Sequence, residues 1–340
     1  MAAASNTPPA SFFESIKQAV GTSPSAARIT EAMELVSKQV DRIGRDRATR
    51  VALRDMIKTA IKEASAPLDA KGGTYTLASH AAMQAALHTA MKALTRKAGA
   101  GLTKVTQGAS QKAAANALRE YNLHVLANPG VDGQISLDAA AAVWGSAANS
   151  GGGLIRQNQE SVTKYGLATA REVEKGLAVS LLTNESQRSA MRRIREAIQG
   201  TKYRAEMVYR TEAMNAYNVA YMASTETLGE ELGEDIWYRW TEHVDDVTGA
   251  PYDNRVDGDS IAMHGQVAPP GGTFTLPPYR GGSKNKRVGL TWTHPPNRPY
   301  DRARLIVWRR RWADETPGWV WENGARKYLD APSESLPSVQ

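Results

Sequence analysis

The amino-acid composition changes abruptly near residue 230, and this break constrains the fold more than any other feature of the chain. Seven of the eight tryptophans and most of the prolines lie beyond it, whereas the preceding sequence is rich in alanine, methionine, lysine, arginine and glutamine. Alanine and long unbranched side chains favour helices, and aromatic sequence interrupted by proline and glycine favours short strands and loops. We therefore predict a mainly α N-terminal region with long helices, followed by a small α+β C-terminal domain with a short antiparallel sheet and long loops.

Periodic apolar residues support the helical prediction. Met83, Leu87, Met91 and Leu94 recur at intervals of three or four residues, which is the spacing of one helix face. Pro67 predicts the end of the preceding helix because proline cannot donate the next backbone hydrogen bond. These signals indicate helices that bury narrow apolar stripes.

Three local signals predict interruptions of the later helices. Gly151-Gly152-Gly153 predicts a flexible break. Ser186 is a suitable N-cap for a short helix that Gly200 would close, and Thr201 is a suitable cap for the next one. The segment after the glycines is therefore predicted as two or more separate helices.

The tryptophan-rich end carries the sequence pattern of strands. Ile236–His243 alternates in a period of two, and the segments 273–276, 305–308 and 319–321 are short candidates of the same kind. The predicted division of the chain is a flexible N-terminus (1–25), a helical region (26–150) and a helical segment that ends in the helix described below (151–230). A Trp-rich α+β domain (231–330) and a tail (331–340) follow.

Composition excludes several classes of protein. The chain has no cysteine, so disulfides, thiolate zinc sites and a cysteine nucleophile are excluded. The first residues lack the basic start and apolar core of a signal peptide, and no apolar run is long enough to predict a membrane span. The net charge of +7 permits a nucleic-acid partner without requiring one.

Eight histidines and aspartates in the C-terminal half could suggest a divalent metal site, because hard ions prefer oxygen ligands. Their spacing matches no compact ligand motif, and aspartates beside glycine more commonly form turns. No phosphate-binding loop and no nucleophile elbow occurs in the sequence. We therefore predict no catalytic, metal or cofactor residue and expect a protein that is not an enzyme. The eight residues are His243, Asp245, Asp246, Asp253, Asp257, Asp259, His264 and His294.

Charge is segregated within the same half. Residues 231–259 contain nine acidic and two basic residues, whereas residues 280–311 contain ten basic residues and one acidic residue. The two stretches either neutralise each other within one fold, or the basic stretch stays exposed and contacts DNA phosphates without reading sequence. The tentative DNA-contacting residues are Lys284, Lys286, Arg287, Arg309, Arg310 and Arg311.

The segment Val208–Tyr221, with the sequence VYRTEAMNAYNVAY, resembles the Arg-Thr-Glu…Ala-x-Asn-x-Ala helix of the phage Mu F-like head morphogenesis family. Further features follow in that family's order, namely a Trp-bearing strand, an Asp-x-x-Thr turn, an Asp-Gly pair and a late His-Pro-Pro-Asn. The resemblance covers residues 185–310. The fingerprint residues are Arg210, Thr211, Glu212, Asn215, Asn218, Asp246, Asp257, Gly258, His294 and Asn297.

Polar groups on the apolar side of this helix need hydrogen-bond partners. We therefore expect Arg210, Glu212, Asn215 or Asn218 to bind the C-terminal loops, so that the helix acts as a bracket for them. Many members of the family carry two cysteine pairs that this chain lacks. An ion pair between Asp253 and Arg298 is our hypothesis for what replaces them.

The resemblance implies a structural minor head protein of a tailed phage, located inside the capsid near the portal and in the host cytoplasm during assembly. Its implied partners are the portal protein and the major capsid or scaffold protein, with the helical region 26–150 docking on them. Double-stranded DNA is a further candidate partner, through a role in retaining or delivering the packaged genome. The alternatives are a divalent-metal nuclease and a membrane-active ejection protein.

Overall fold

The structure is a computed structural model. It describes residues 47–68, 73–127, 137–232, 236–242, 244, 258–279, 287–296, 303–309 and 317–330. The predicted N-terminus at 1–25 and tail at 331–340 lie outside the described residues. So does the hypothetical pair Asp253–Arg298.

Four long helices come first, as predicted. They are α1 (Arg47–Ser65), α2 (Leu77–Ala127), α3 (Leu137–Leu182) and α4 (Gln187–Leu232). Helix α1 ends two residues before Pro67, which is the expected effect of a proline. None of the described helices is long and apolar enough to cross a membrane.

Short strands and one short helix follow, which confirms the predicted fold class. A three-stranded antiparallel sheet has the order β2 (Val267–Ala268), β1 (Trp237–Thr241) and β5 (Arg304–Trp308). Two further antiparallel pairs join β3 (Phe274–Thr275) to β4 (Thr291–Trp292), and β6 (Trp319–Glu322) to β7 (Ala325–Tyr328). Helix α5 (Gly258–Met263) precedes β2.

The chain divides into two compact units. The helical unit comprises residues 41–108 and 152–213, and the sheet unit comprises residues 1–40, 109–151 and 214–340. Helices α2, α3 and α4 each contribute residues to both units. These boundaries differ from those of the sequence-based segments at 150 and 230. The composition changes where α4 ends, whereas the boundary between the two packed units falls inside the long helices.

Helices α1 to α4 all contribute to the core of the helical unit. Met83, Leu87, Met91 and Leu94 are buried, which confirms the predicted stripe on α2. They pack in one cluster with buried residues of the other three helices, among them Ile57, Val173, Leu177, Ile194 and Ile198. Apolar burial of this kind stabilises helices whose own propensity is modest.

Side-chain caps and a short backbone pairing fix the ends of the helices. Ser186 caps α4 as predicted, because its Oγ accepts the N–H of Ser189 at 3.2 Å. Next to this cap, Tyr75 N–H donates to Glu185 O at 2.9 Å and Gln187 N–H donates to Gly73 O at 2.7 Å. The segment before α2 is thereby attached to the turn before α4.

Two of the predicted helix interruptions are wrong. Helix α3 continues through Gly151–Gly153, and α4 continues through Gly200 and Thr201. Glycine in a helix costs only about 1 kcal/mol relative to alanine. Buried residues on both sides of each glycine site, such as Trp144 and Leu154 in α3, offset that cost.

The predicted strands are present as β1, β3, β5 and β6, but three strands were missed. Strands β2 and β4 have two residues each, too few to show a period. Strand β7 follows the turn Asn323-Gly324, where both residues have positive φ values of 52° and 78°. Asn-Gly is the preferred sequence of such hairpin turns, so the sequence does contain a signal for the pairing of β6 with β7.

A glycine in α2 leaves room for a side chain of α4 within the helical unit. Tyr209 OH donates to Ala98 O at 2.6 Å, and a Cβ on Gly101 would lie 2.6 Å from the same hydroxyl oxygen. Tyr209 is buried, and burial raises the pKa of its phenol to about 12. The hydroxyl therefore stays protonated and donates at neutral pH.

We predict that Gly101→Ala destabilises the protein by about 1–3 kcal/mol, because the added methyl group displaces the buried Tyr209 hydroxyl. Gly108→Ala is the matched control, since a Cβ there would meet nothing within 4 Å. Alanine should stabilise the helix at that exposed position by up to about 1 kcal/mol. Urea unfolding measures both effects, and equal stabilities of the two variants would contradict the prediction.

A second prediction concerns the carboxyl group of Glu185, which accepts hydrogen bonds from the Arg193 guanidinium and, at 2.9 Å, from Ser180. Arg193 is the main cause that lowers the pKa of Glu185 to about 2. The pair therefore contributes stability above the unfolded-state pKa near 4.5, and this contribution is lost as the pH falls from there to about 2. An NMR titration of the Glu185 carboxyl should show the pKa returning toward 4.5 in Arg193→Gln.

Arg192→Gln is the control for that titration. Arg192 lies 3.9 Å from the exposed Glu196, and its loss should leave the pKa of Glu185 unchanged. An unchanged pKa in Arg193→Gln as well would show that Arg193 does not bind the carboxylate.

Candidate functional site

Asn218, a residue of the predicted helical bracket, is fully buried in the sheet unit. Its Oδ1 accepts the N–H of Leu305 at 3.0 Å, and its Nδ2 lies 3.5 Å from Ala303 O. Nδ2 also donates to Pro295 O at 3.1 Å and to Met214 O at 3.0 Å. The expectation that the fingerprint helix binds the C-terminal loops is thus confirmed at Asn218.

These contacts cover one edge of the three-stranded sheet. In β1, Trp240 exchanges hydrogen bonds with the segment before β2, donating to Gln266 O at 2.8 Å and accepting from Gly265 N at 2.9 Å. Backbone groups alternate in direction along a strand, so Arg239 and its partner Ile306 face each other across β1 and β5. The N–H groups of Leu305 and Val307 consequently point away from β1, toward α4.

Tyr221 serves the second of these N–H groups. Its hydroxyl oxygen accepts the N–H of Val307 at 3.0 Å and donates its own proton to the carboxylate of Glu120 in α2. The side chains of Asn218 and Tyr221 therefore bind the edge N–H groups of β5 that the backbone of a further strand would otherwise bind. An uncovered strand edge would offer a pairing surface to other chains.

Two hydrogen bonds of equal spacing join α2 to α4 at this position. Asn116 Nδ2 donates to Tyr217 OH at 3.0 Å, and four residues further along both helices Tyr221 donates to Glu120. The two tyrosine rings are stacked, with centroids 5.9 Å apart and planes inclined by 12°. We call these four residues the tyrosine ladder.

Burial controls the ionisation of the aromatic hydroxyl groups at this site. Desolvation raises the pKa of Tyr217, Tyr221 and Tyr238 well above the ordinary value of 10.0. All three are therefore neutral hydrogen-bond donors at physiological pH. Tyr238 in β1 donates to Met222 O at 3.1 Å and lies 3.0 Å from Thr225 Oγ1, so it fastens β1 to α4 as well.

The His-Pro-Pro motif contacts Asn218, because the Pro295 carbonyl accepts the hydrogen bond from Asn218 Nδ2. His294 Nδ1 donates to the same carbonyl at 2.8 Å. Burial lowers the pKa of the His294 imidazole because it disfavours the charged form. Asn297, the last residue of the motif, lies outside the described residues.

The Asp-Gly motif ends where α5 begins, at Gly258. A Cβ at this position would collide with the ring of Tyr279, so the close approach requires glycine. The next residue, Asp259, is buried and accepts hydrogen bonds from Tyr279 OH and, at 3.1 Å, from Arg287 Nη1. Asp257 and Asp246 lie in segments that the structure does not describe.

Of the eight metal-ligand candidates, three are described, and all three make hydrogen bonds within the fold, His294 through the Pro295 carbonyl. Asp259 binds Tyr279 and Arg287, and His264 Nδ1 accepts the N–H of Glu242 at 3.1 Å. Within the described segments, no group of three or more His, Asp or Glu side chains is placed to hold a metal ion. His243, Asp245, Asp246, Asp253 and Asp257 lie outside those segments.

Two of the six tentative DNA-contacting residues are described, and neither is fully exposed. Arg287 binds Asp259 and lies over the ring of Trp292, with its guanidinium carbon 5.4 Å from the ring centroid. This contact supports the interpretation that the acidic and basic stretches neutralise each other. Arg309 is buried at the end of β5, contrary to the exposure that DNA contact requires. Lys284, Lys286, Arg310 and Arg311 lie outside the described residues.

The remaining fingerprint residues precede Asn218 on α4. Arg210, Thr211 and Glu212 belong to the helical unit, and Asn215 belongs to the sheet unit. All four side chains are half-buried, and the first three each take part in polar interactions. Among the fingerprint residues of α4, Asn218 is therefore the one whose hydrogen bonds to the C-terminal loops are established.

The contacts of the tyrosine ladder are not among the sequence-based predictions, because a tyrosine on a buried helix face is expected to pack as an apolar residue. A signal was available in the spacing. Asn116 and Glu120 are four residues apart, as are Tyr217 and Tyr221, and hydroxyl groups at buried positions require partners. Matching polar pairs on two helices would have indicated their contact.

We predict that Asn218→Asp destabilises the protein by about 3 kcal/mol, because the carboxylate cannot donate to Pro295 and Met214 and carries a buried charge. Burial raises the folded-state pKa of the new carboxyl above its unfolded-state pKa of about 4, so the deficit should shrink as the pH falls from neutral toward about 4 and stay constant below it. Asn149→Asp, at an exposed position of α3, is the control and should change stability by less than about 0.5 kcal/mol. Similar stabilities of the two variants in urea would contradict the proposed bracket.

Comparisons with known proteins return no relative, since no family model matches the chain and neither a curated protein nor a solved structure is significantly similar to it. The evidence for function therefore comes from the geometry of the described residues, above all from the hydrogen bonds of Asn218.

Proposed function

We propose that the chain is a structural minor head protein of a tailed phage that acts in head morphogenesis at the portal vertex. The proposal begins from the resemblance to the Mu F-like family. That resemblance rests on several short motifs, each of which is weak evidence when taken separately. One observation supports treating these motifs as a unit. Asn218 of the helix motif hydrogen-bonds to Pro295 of the His-Pro-Pro motif, 77 residues later in the chain.

The engaged polar groups also favour a structural protein over a nuclease. A metal nuclease needs carboxylates and imidazoles that are free to bind the ion and the attacking water. Asp259 and His264 are instead occupied by Arg287, Tyr279 and the Glu242 amide. Their contacts stabilise loops, which is the task expected of an assembly component.

The proposed partners are the portal protein and the major capsid or scaffold protein, inside the capsid near the portal. Docking through residues 26–150 remains part of this proposal. Deleting residues 1–150 would not test docking alone, because Asn116 and Glu120 would be lost from the tyrosine ladder of the sheet unit. The full-length chain is therefore the right reagent.

The test is co-expression of the full-length chain with the portal, scaffold and major capsid proteins of the phage that encodes it. We expect purified procapsids to contain a few copies, and immunogold labelling to mark a single vertex. Procapsids assembled without the portal protein should carry no label at a vertex. Absence of the chain from portal-containing procapsids would refute the proposal.

Incubation of the pure protein with plasmid and Mg²⁺ or Mn²⁺ distinguishes the proposed structural role from the alternative, a divalent-metal nuclease. We expect intact plasmid. Cleavage that disappears in Asp257→Ala would establish the nuclease instead.

A further inference from the structure

The two units carry charges of opposite sign. The helical unit contains 23 basic and 12 acidic residues, which gives a net charge of +11. The remaining 19 basic and 23 acidic residues give the sheet unit a net charge of −4. The overall charge of +7 therefore hides a strongly basic helical unit, and such an excess favours polyanionic partners.

In α1 the basic residues form a stripe on the side opposite the core. Arg54, Lys58 and Lys62 follow one another at intervals of four residues, and all three are exposed. Ile57 and Ala60, on the other side of this helix, are buried. The stripe therefore consists of solvent-facing cations about 6 Å apart along the helix axis.

Helices α4 and α2 repeat this arrangement. Arg188, Arg192 and Arg195 are exposed on α4, whereas Ile194 and Ile198 of the same helix are buried. On α2, Lys92, Arg96 and Lys97 are exposed and alternate along the sequence with the buried residues Met91, Leu94 and Ala98. Together the nine residues of α1, α2 and α4 are called the basic stripes.

The acidic neighbours of the basic stripes do not neutralise them. Asp55 lies 3.7 Å from Arg54, and Glu196 lies 3.9 Å from Arg192. More than half of each of these four side chains is exposed, and ion pairs in such positions contribute little. Both arginines therefore remain available to a stronger anion.

We propose that the helical unit binds the phosphate backbone of double-stranded DNA through the basic stripes. This inference goes beyond the proposed function, since it requires no head component. It also places the DNA contact on another part of the chain than the basic stretch at 280–311. Within that stretch Arg287 is bound to Asp259 and Arg309 is buried, and the unit to which they belong is net acidic.

The chemistry of the basic stripes favours duplex DNA over other polyanions. Anionic membranes are bound by helices that combine basic residues with large apolar ones. The described large apolar side chains exposed in this unit are Leu77, Leu167, Val179 and Leu182, none of which lies on a basic stripe. Single strands are bound by stacking on exposed aromatic rings, whereas the tyrosine side chains that the structure describes in this unit, Tyr75 and Tyr209, are buried.

Binding of the full-length protein to a fluorescent 30-base-pair duplex, measured by anisotropy at several salt concentrations, tests the proposal. Neutralising three residues of one basic stripe, as Arg188→Gln, Arg192→Gln and Arg195→Gln, should weaken binding about tenfold and lower the salt slope by 2 to 3. The same replacement of Arg54, Lys58 and Lys62 provides a second variant on another helix. Circular dichroism should show unchanged helix content in both.

The triple variant Lys284→Gln, Lys286→Gln and Arg311→Gln removes the same charge from the competing location. We expect its affinity to stay within about threefold of the unmodified protein, because its residues lie outside the basic stripes. Failure of the unmodified protein to bind duplex at low salt would overturn the proposal. So would a greater loss in this control than in both stripe variants, or tighter binding to anionic vesicles than to duplex. None of these results would bear on incorporation into procapsids.

Discussion

The side-chain amide of Asn218 takes the place of a missing strand, and the arrangement of the sheet unit depends on it. A peptide group carries one N–H and one C=O, and the primary amide of asparagine presents the same pair of functions. Asn218 accepts from Leu305 N and lies within reach of Ala303 O, which are backbone groups on the same edge of β5. A helix residue thus continues the hydrogen bonding of a sheet that would otherwise end at an open edge.

The loops of the sheet unit are held by similar contacts between side chains and backbone. Gln266 Oε1 accepts the N–H of Thr275 at 2.8 Å, Trp319 Nε1 donates to His264 O at 3.0 Å, and Arg326 Nη2 donates to Ala262 O at 3.0 Å. Strands of two to five residues form few ladder bonds of their own. Long polar and aromatic side chains therefore supply the connections that longer strands would make by backbone pairing.

Sequence reasoning succeeded where a property repeats along the chain. The stripe from Met83 to Leu94 and the alternation around Tyr238 were visible because burial recurs with the period of the helix or strand. It failed at Gly151–Gly153 and Gly200, since a local preference of about 1 kcal/mol yields to packing along a long helix. Asn218 was found because a buried amide needs partners, but which backbone groups it binds depends on how α4 meets β5, and no local pattern contains that information.

The equal spacing within the tyrosine ladder fixes where α4 stands along α2. If α4 slid by four residues, about 6 Å, toward its C-terminus, Tyr217 would face Glu120, and Asn116 would face Ala213, which offers no hydroxyl group. The same movement would carry Asn218 away from Leu305 and expose the backbone of β5. The two tyrosine hydroxyl groups thus favour one position of α4 along α2. Only at that position can Asn218 reach β5 and the tryptophan-rich sheet form on the helix.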